Sequence, residues 1–394
     1  MKKIQLAMIL FMAAFCADAQ QLKLNEKIEI KLRSSSEEVD HTIFIQLPKS
    51  YGKLHTQFPV IVLLDAQDKT LFDYASATVD RLMFTNDIPE AIFVGVLQND
   101  RGKELSVEKN EETALKFQQF LKTELYNLLQ KKYQAGSYFT FIGHSLGGQF
   151  VTNAMISDPN FFRSVISISG ALNYPADYTF FKRKVLGGLQ KYLISRQRDS
   201  ATKQRQKYYF SAGSDGYQES SFKSGALNAD SLLKRYPNKY LNWQFDFLPG
   251  FNHMTSPLPS IPAGLVFIFK DWHFTDSLAM EVLLKQTTDP INAINKHKIQ
   301  IEKSYGNNLA LPYSCYYQFA KFYIQKGDLV KAKIIGQNIV EQYPDDDESY
   351  AMIGEILVKQ GDRPAALRYY KIAQSKSKPK KYLKEISDLE SREK

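Results

Sequence analysis

The sequence predicts an α/β protein with an open, mostly parallel sheet, followed by an all-α tail. Three observations carry this. From residue 26 to about 274, short apolar runs alternate with segments of helical period. The run Gly143-His-Ser-Leu-Gly147 falls where a strand should pass into a helix. Beyond Asp289 the strand pattern stops and a repeat of 34 residues takes over.

The elements follow in order. Lys2 and Lys3, an apolar run from Ile4 to Phe15, and Ala17-Asp-Ala19 have the layout of a secretory signal, with cleavage expected after Ala19. The apolar run is too short to span a bilayer. Phe15 stands where a small residue should precede a lipidated Cys16, which argues against lipid anchoring. The mature chain is therefore expected to be exported, periplasmic or secreted. Residues 26–34 and 41–47 alternate as a hairpin across the polar turn 35–40. Residues 58–65 and 91–97 are near-continuous apolar runs, as suits strands covered on both faces. Helices are expected at 71–83, 111–132 and 146–156, and strands at 138–142, 164–168, 208–211 and 241–248. A basic stretch, 173–207, reads as irregular, with either a solvated face or a cap over the site as its role. A further helix separates the last two strands, and 261–272 closes this half as a helix.

In the tail, Gly327-Asp328 recurs as Gly361-Asp362. In the same register Tyr316 matches Tyr350, Ala320 matches Gly354, and Ala332 matches Ala366. The period and the small residues at helix crossings resemble tetratricopeptide repeats. The expected organisation is a signal at 1–19, a catalytic-type domain at 20–274, a helical linker at 275–312, and two repeats with a polar capping helix at 313–394. Such repeats offer a surface for a protein partner or for self-association.

Composition narrows the classes. The chain of 394 residues carries a formal charge of +9, which becomes +8 without residues 1–19. No nucleic-acid motif accompanies that charge, so no nucleic-acid partner is expected. Cys315 alone remains after the signal, so no intrachain disulfide can form. No zinc spacing such as C-x-x-C or H-E-x-x-H is present, and neither a metal nor a cofactor is expected.

The chemistry centres on Ser145. A nucleophile elbow needs small residues around a serine on a strained turn, and Gly143 and Gly147 supply them. The amide of Leu146, at a helix N-terminus, suits a developing oxyanion. A serine hydroxyl needs a general base. Chain order after the elbow leaves His253, His273 and His297, and His253 lies just past the last strand. The acid should come from the loop Gly213-Ser-Asp-Gly-Tyr-Gln-Glu219. Asp215, nearest the strand end, is preferred, and Glu219, at the start of the next helix, is the rival. The second oxyanion amide should follow the strand at 58–65, from Ala66 or Gln67, with Ala66 favoured.

These residues carry a family resemblance. The run from Phe58 to Ala66, then Asn99-Asp-Arg-Gly-Lys-Glu-Leu105, Gly143-His-Ser-Leu-Gly-Gly148, Asp158-Pro-Asn-Phe-Phe162 and Asn252-His253 resemble the putative-esterase family of α/β-hydrolases. That family includes siderophore, feruloyl and acetyl-xylan esterases, S-formylglutathione hydrolases and mycolyltransferases. The resemblance covers about residues 26–274. It implies an α/β-hydrolase fold, with Ser145 as nucleophile and His253 as base. Ala66 stands where the family often has glycine, and the acid loop is longer than the Gly-x-x-Glu form of siderophore esterases. The expectation is an exported serine carboxylester hydrolase working on a small-molecule ester through an acyl-enzyme on Ser145. The alternatives are an acyltransferase using the same acyl-enzyme, or an inactive hydrolase-fold scaffold.

Overall fold

The computed structural model describes residues 26–52, 54, 56–173, 184–196, 205–274, 282, 289–306, 309–377 and 379–391. The expected signal sequence lies outside them. Eight strands form one sheet: β1 (Ile28–Ser34), β2 (Val39–Gln46), β3 (Phe58–Leu63), β4 (Ile92–Val96), β5 (Ala135–His144), β6 (Ser164–Ile168), β7 (Gln206–Asp215) and β8 (Leu241–Asn252). Their order is β1-β2-β4-β3-β5-β6-β7-β8. The β1–β2 and β2–β4 pairs are antiparallel, and every other pair is parallel. This is the expected α/β-hydrolase-type sheet with an antiparallel hairpin at one edge.

Pattern explains position. β3, β4 and β6 are buried at every residue because helices cover both of their faces. β1 alternates exposed and half-buried residues, as an edge strand should. The covering helices are α1 (Lys69–Phe84), a short α2 (Arg101–Glu104), α3 (Glu111–Phe120), α4 (Tyr126–Lys132), α5 (Leu146–Ser157), α6 (Lys184–Arg196), α7 (Tyr217–Arg235) and α8 (Pro257–Phe269). A π turn, Leu121–Leu125, joins α3 to α4 inside the helix expected over 111–132.

Several boundaries moved for identifiable reasons. β5 begins at Ala135 rather than 138, because Gly136 and Ser137 hide its alternation. β8 runs on to Asn252, past Gly250 at φ 82°, a backbone conformation that suits glycine. α8 starts at Pro257, since proline at the first helical position lacks an N–H that would go unpaired anyway. Within the basic stretch 173–207, α6 is a regular helix. Its Val185, Leu186, Leu189 and Leu193 are fully buried, while Lys184 and Lys191 face outward. The described part of this stretch is thus a packed helix with a solvated basic face, not an irregular segment.

The tail consists of α9 (Pro290–Tyr305), α10 (Tyr313–Lys326), α11 (Leu329–Gln342), α12 (Asp347–Gln360), α13 (Arg363–Lys376) and α14 (Leu383–Glu390). Gly327 and Gly361 end α10 and α12 at φ 77° and 82°, and Asp328 and Asp362 cap α11 and α13. The same caps thus recur 34 residues apart. One apolar cluster joins Ile142, Tyr209 and Leu265 to Ile301, Tyr305 and Phe319, so the tail shares a core with one face of the sheet. Lys207 fastens the joint: its Nζ donates to the Ile268 carbonyl at 2.6 Å and the Tyr305 hydroxyl at 3.1 Å, and pairs with Asp271 at 2.8 Å. Burial pushes this ammonium down to about 8. Among the described residues, no helix is long and apolar enough to cross a membrane.

Candidate active site

Ser145 sits between β5 and α5 at φ 61°, ψ −116°, in strained backbone for a non-glycine residue. Its amide donates to the Ile168 carbonyl at 3.0 Å, and its carbonyl accepts from Ala171 at 2.9 Å. These bonds lock the turn to the end of β6. At Gly143 a Cβ would fall inside the Gly147 carbonyl, so only glycine fits beneath the turn. At Gly147 a Cβ would meet Asp65 Oδ2 at 3.3 Å, so the absent side chain lets the loop after β3 come close.

His253, 3% exposed, follows β8. Its ring centroid lies 4.6 Å from that of His144 and stacks on Phe222 at 4.0 Å. His144 Nε2 donates to the His253 carbonyl at 2.8 Å. Burial, then the neighbouring His253, push the His144 imidazole down to about 4, so His144 is a neutral strut. His253 Nδ1 lies 2.8 Å from Glu219 Oε2. With a carboxylate there, Nδ1 carries the proton and Nε2 presents its lone pair. Nε2 is buried and, among the described residues, has no hydrogen-bond partner, Ser145 Oγ included.

The structure pairs Glu219, and not the preferred Asp215, with His253. Asp215 is exposed at the end of β7 and accepts from the neighbouring Ser214 hydroxyl. The fully buried carboxylate on His253 belongs to Glu219. The reason is local. Gly216 at φ 89° starts α7, and Glu219 is its third residue. First-turn side chains tilt back toward the helix N-terminus, which returns the carboxylate to the strand end. There Glu219 Oε1 accepts from the Gly213 amide at 2.6 Å and from the Ser169 hydroxyl at 2.7 Å. Ser256, 2.8 Å from Ser169 Oγ, donates to the His253 carbonyl at 3.0 Å. Ser169 and Ser256 carry no motif, and sequence reasoning missed them.

The expectation for Ala66 is corrected too. Its amide donates to the Val96 carbonyl at 3.2 Å, which prolongs the strand pairing by a step and occupies the donor. The next amide, of Gln67, makes no such strand bond, and the Leu146 amide opens α5, where no preceding turn supplies a carbonyl. Gln67 is held from both sides: its Nε2 donates to Asp65 Oδ1 at 3.0 Å, and its Oε1 accepts from the Gln98 amide at 3.1 Å. Arg101 completes the loop. Its Nε lies 2.6 Å from Asp65 Oδ1, and one Nη 3.0 Å from Oδ2 and 3.2 Å from the His144 carbonyl. One guanidinium therefore clamps two strained segments, since Asp65 also has φ 61°. Arg101 lies in the Asn99–Leu105 run already singled out by resemblance, which was the available signal for it.

Burial alone would raise the Glu219 carboxylate, but hydrogen bonds from His253, Ser169 and Gly213 bring it below its ordinary value. A carboxylate lowered on folding stabilises the fold at pH above its unfolded value of about 4.3, and that contribution is lost as pH falls through the folded value. Wild type should therefore lose more stability than Glu219→Gln on going from pH 7 to pH 3. Urea midpoints at both pH values test this, and parallel losses would refute it.

A sheet of this order with a strained serine after β5 and a buried His–Glu pair defines a serine-hydrolase arrangement on the α/β-hydrolase fold. The sequence profile of the family described as "Putative esterase" matches residues 34–256. The chain belongs to that family. Among solved structures it is similar to an uncharacterised protein from Capnocytophaga ochracea, at 17% identity and TM-score 0.64, over 93% of this chain and 100% of that one. It is also similar to an IroE-like serine hydrolase from Shewanella oneidensis, at 17% identity and TM-score 0.63, over 77% of this chain and 95% of that one. A siderophore hydrolase from Aspergillus nidulans aligns at 16% identity and TM-score 0.52, over 65% of this chain and 98% of that one. At such identities the likeness is one of fold. A search of curated proteins finds no match.

Proposed function

We propose that the chain is an exported serine carboxylester hydrolase that works through an acyl-enzyme on Ser145. The observation that carries this reading is the Glu219–His253 pair, whose 2.8 Å bond leaves His253 Nε2 as a proton acceptor beside the elbow. In the reaction, Ser145 Oγ attacks the ester carbonyl carbon while Nε2 takes its proton. The amides of Leu146 and Gln67 receive the oxyanion. The tetrahedral intermediate collapses, and His253 passes its proton to the departing alcohol. Water then loses a proton to Nε2 and attacks the acyl-enzyme, and the acid leaves as Ser145 regains its proton. The hydrogen bond from the Ser145 hydroxyl to Nε2 forms as substrate closes the gap, since such bonds are often long without substrate.

The relatives named as siderophore hydrolases suggest ester-linked siderophores as the first substrates to try, and the outward basic face of α6 suits anionic ones. The two capped hairpins of the tail fit tetratricopeptide-like repeats that serve a partner or self-association. A fluorophosphonate probe should add one label to the wild-type chain and none to Ser145→Ala, read by intact mass. An unlabelled wild type would favour a scaffold. A panel of short acyl, feruloyl, acetylated-sugar and cyclic siderophore esters then ranks the substrates.

Arg101 acts by position in this scheme. Arg101→Met should lower kcat by about 100-fold, the cost of a displacement near 1 Å at a catalytic group, with KM changed far less. Arg101→Lys should recover only part, because an ammonium cannot grip Asp65 with two parallel bonds. Equal loss in kcat and gain in KM would assign Arg101 to substrate binding instead.

A further inference from the structure

We propose that Glu37, His41 and Glu104 form a site for one zinc ion, separate from the catalytic serine. The three residues converge from the β1–β2 turn, β2 and α2. Each offers one ligand atom, and these atoms lie within 4.8 Å of one another. His41 is fully buried, and Glu104 is 3% exposed.

The second observation is an orphaned oxygen. Glu104 Oε1 accepts from the amides of Asn99 and Asp100 at 3.0 and 2.9 Å. Its Oε2 is buried with no partner among the described residues. An unpaired carboxylate oxygen in the interior is costly, and a second carboxylate close by makes it more so. Glu37 Oε2 lies 2.9 Å from His41 Nε2 and accepts from Ser34 Oγ at 3.0 Å. A divalent cation would neutralise both carboxylates at once.

His41 has the setting of a ligand. Its Nδ1 is 3.4 Å from the Leu97 carbonyl and can donate there, while Nε2–H donates to Glu37 Oε2 at 2.9 Å; a zinc ion would displace that Nε2 proton and take the lone pair. Asn99 Nδ2, 3.5 Å from Nδ1, donates to the Asp40 carbonyl at 3.2 Å instead. Phe120 stacks on the imidazole at 4.4 Å, and Phe117 packs at 5.3 Å, which fixes the ring. One nitrogen and two carboxylate oxygens, with water in a fourth position, suit zinc. Calcium and magnesium favour larger all-oxygen sets.

The site would fasten the edge hairpin to α2, whose first residue is Arg101. No C-x-x-C or H-E-x-x-H spacing betrays it, because its ligands come from a turn, a strand and a distant helix.

The test uses the full chain, stripped with EDTA, exchanged into chelator-free buffer and titrated with zinc chloride. Calorimetry should find one zinc per chain, with a matching rise in Tm. Glu104→Gln keeps an oxygen for the Asn99 and Asp100 amides, and Glu37→Gln keeps an oxygen for the Ser34 hydroxyl and the His41 ring. Each should weaken zinc binding at least about tenfold, the floor for losing even an outer partner of a metal site. Ser145→Ala should bind zinc like wild type, which separates this result from the esterase reading. No stoichiometric zinc binding, or binding that both glutamine variants retain unchanged, would overturn the site. If Glu104→Gln does not fold, Glu37→Gln decides alone.

Discussion

Ser145→Ala should lower kcat for p-nitrophenyl acetate by a factor on the order of 10⁵–10⁶ while the protein stays folded. Removing the hydroxyl removes the nucleophile, and the neighbouring serine hydroxyls cannot take its place. The Ser169 hydroxyl donates to Glu219 and that of Ser256 to the His253 carbonyl, so both are committed to positioning. His253→Ala should cost nearly as much, because its Nε2 is the base that the Glu219 carboxylate orients beside the elbow. His144 is a poor substitute, since burial and the neighbouring His253 push its imidazole down to about 4. The double variant should be little worse than either single one, because the groups act as a unit. Residual catalysis of about 10³ over water should survive through the Leu146 and Gln67 amides and substrate binding. The change is small in stability terms, because half-buried Ser145 holds its turn by backbone bonds rather than by its hydroxyl. A Ser145→Ala enzyme that kept more than a few per cent of wild-type turnover would end the acyl-enzyme reading. An equally inactive wild type would favour the scaffold.

What the sequence disclosed, and what it hid, divides along physical lines. The strands β3, β4 and β6 were legible because burial on both faces demands continuous apolar runs. The elbow was legible because its strain demands small neighbours at fixed offsets. The partners set by tertiary packing were not. Ala66 and Gln67 are adjacent backbone donors, and only the extra pairing of Ala66 with Val96 decides which is free. The clamp of Arg101 joins residues 36 and 43 positions away: the Asn99–Leu105 run marks Arg101 by resemblance, but no spacing marks its partners. The Glu37–His41–Glu104 cluster is hidden for the same reason. α6 was masked by its charge: the basic residues facing solvent drew attention from the buried leucines behind them.

The choice of acid should be the sharpest contrast of all. Glu219→Gln should reduce kcat by about 10⁴, and Asp215→Asn by no more than about twofold. An amide at position 219 can offer the His253 ring an N–H or an oxygen, but no charge. It then favours the wrong tautomer and withdraws stabilisation from the imidazolium that forms in the transition state. The rest of the site argues that the loss is electronic rather than a collapse. The amide oxygen can still accept from the Gly213 amide and the Ser169 hydroxyl, so the α7 start should hold its place. Glu219→Asp tests the geometry separately. It restores the charge but shortens the reach from α7 by a methylene, so it should recover part of the activity and not all. Asp215 is exposed, and its only described side-chain bond is to Ser214, so its amide variant changes one solvated charge near the mouth of the site. If Asp215→Asn proved the crippling change and Glu219→Gln the silent one, His253 would have to swing toward the end of β7 when substrate binds. The pairing with Glu219 would then belong to a resting state.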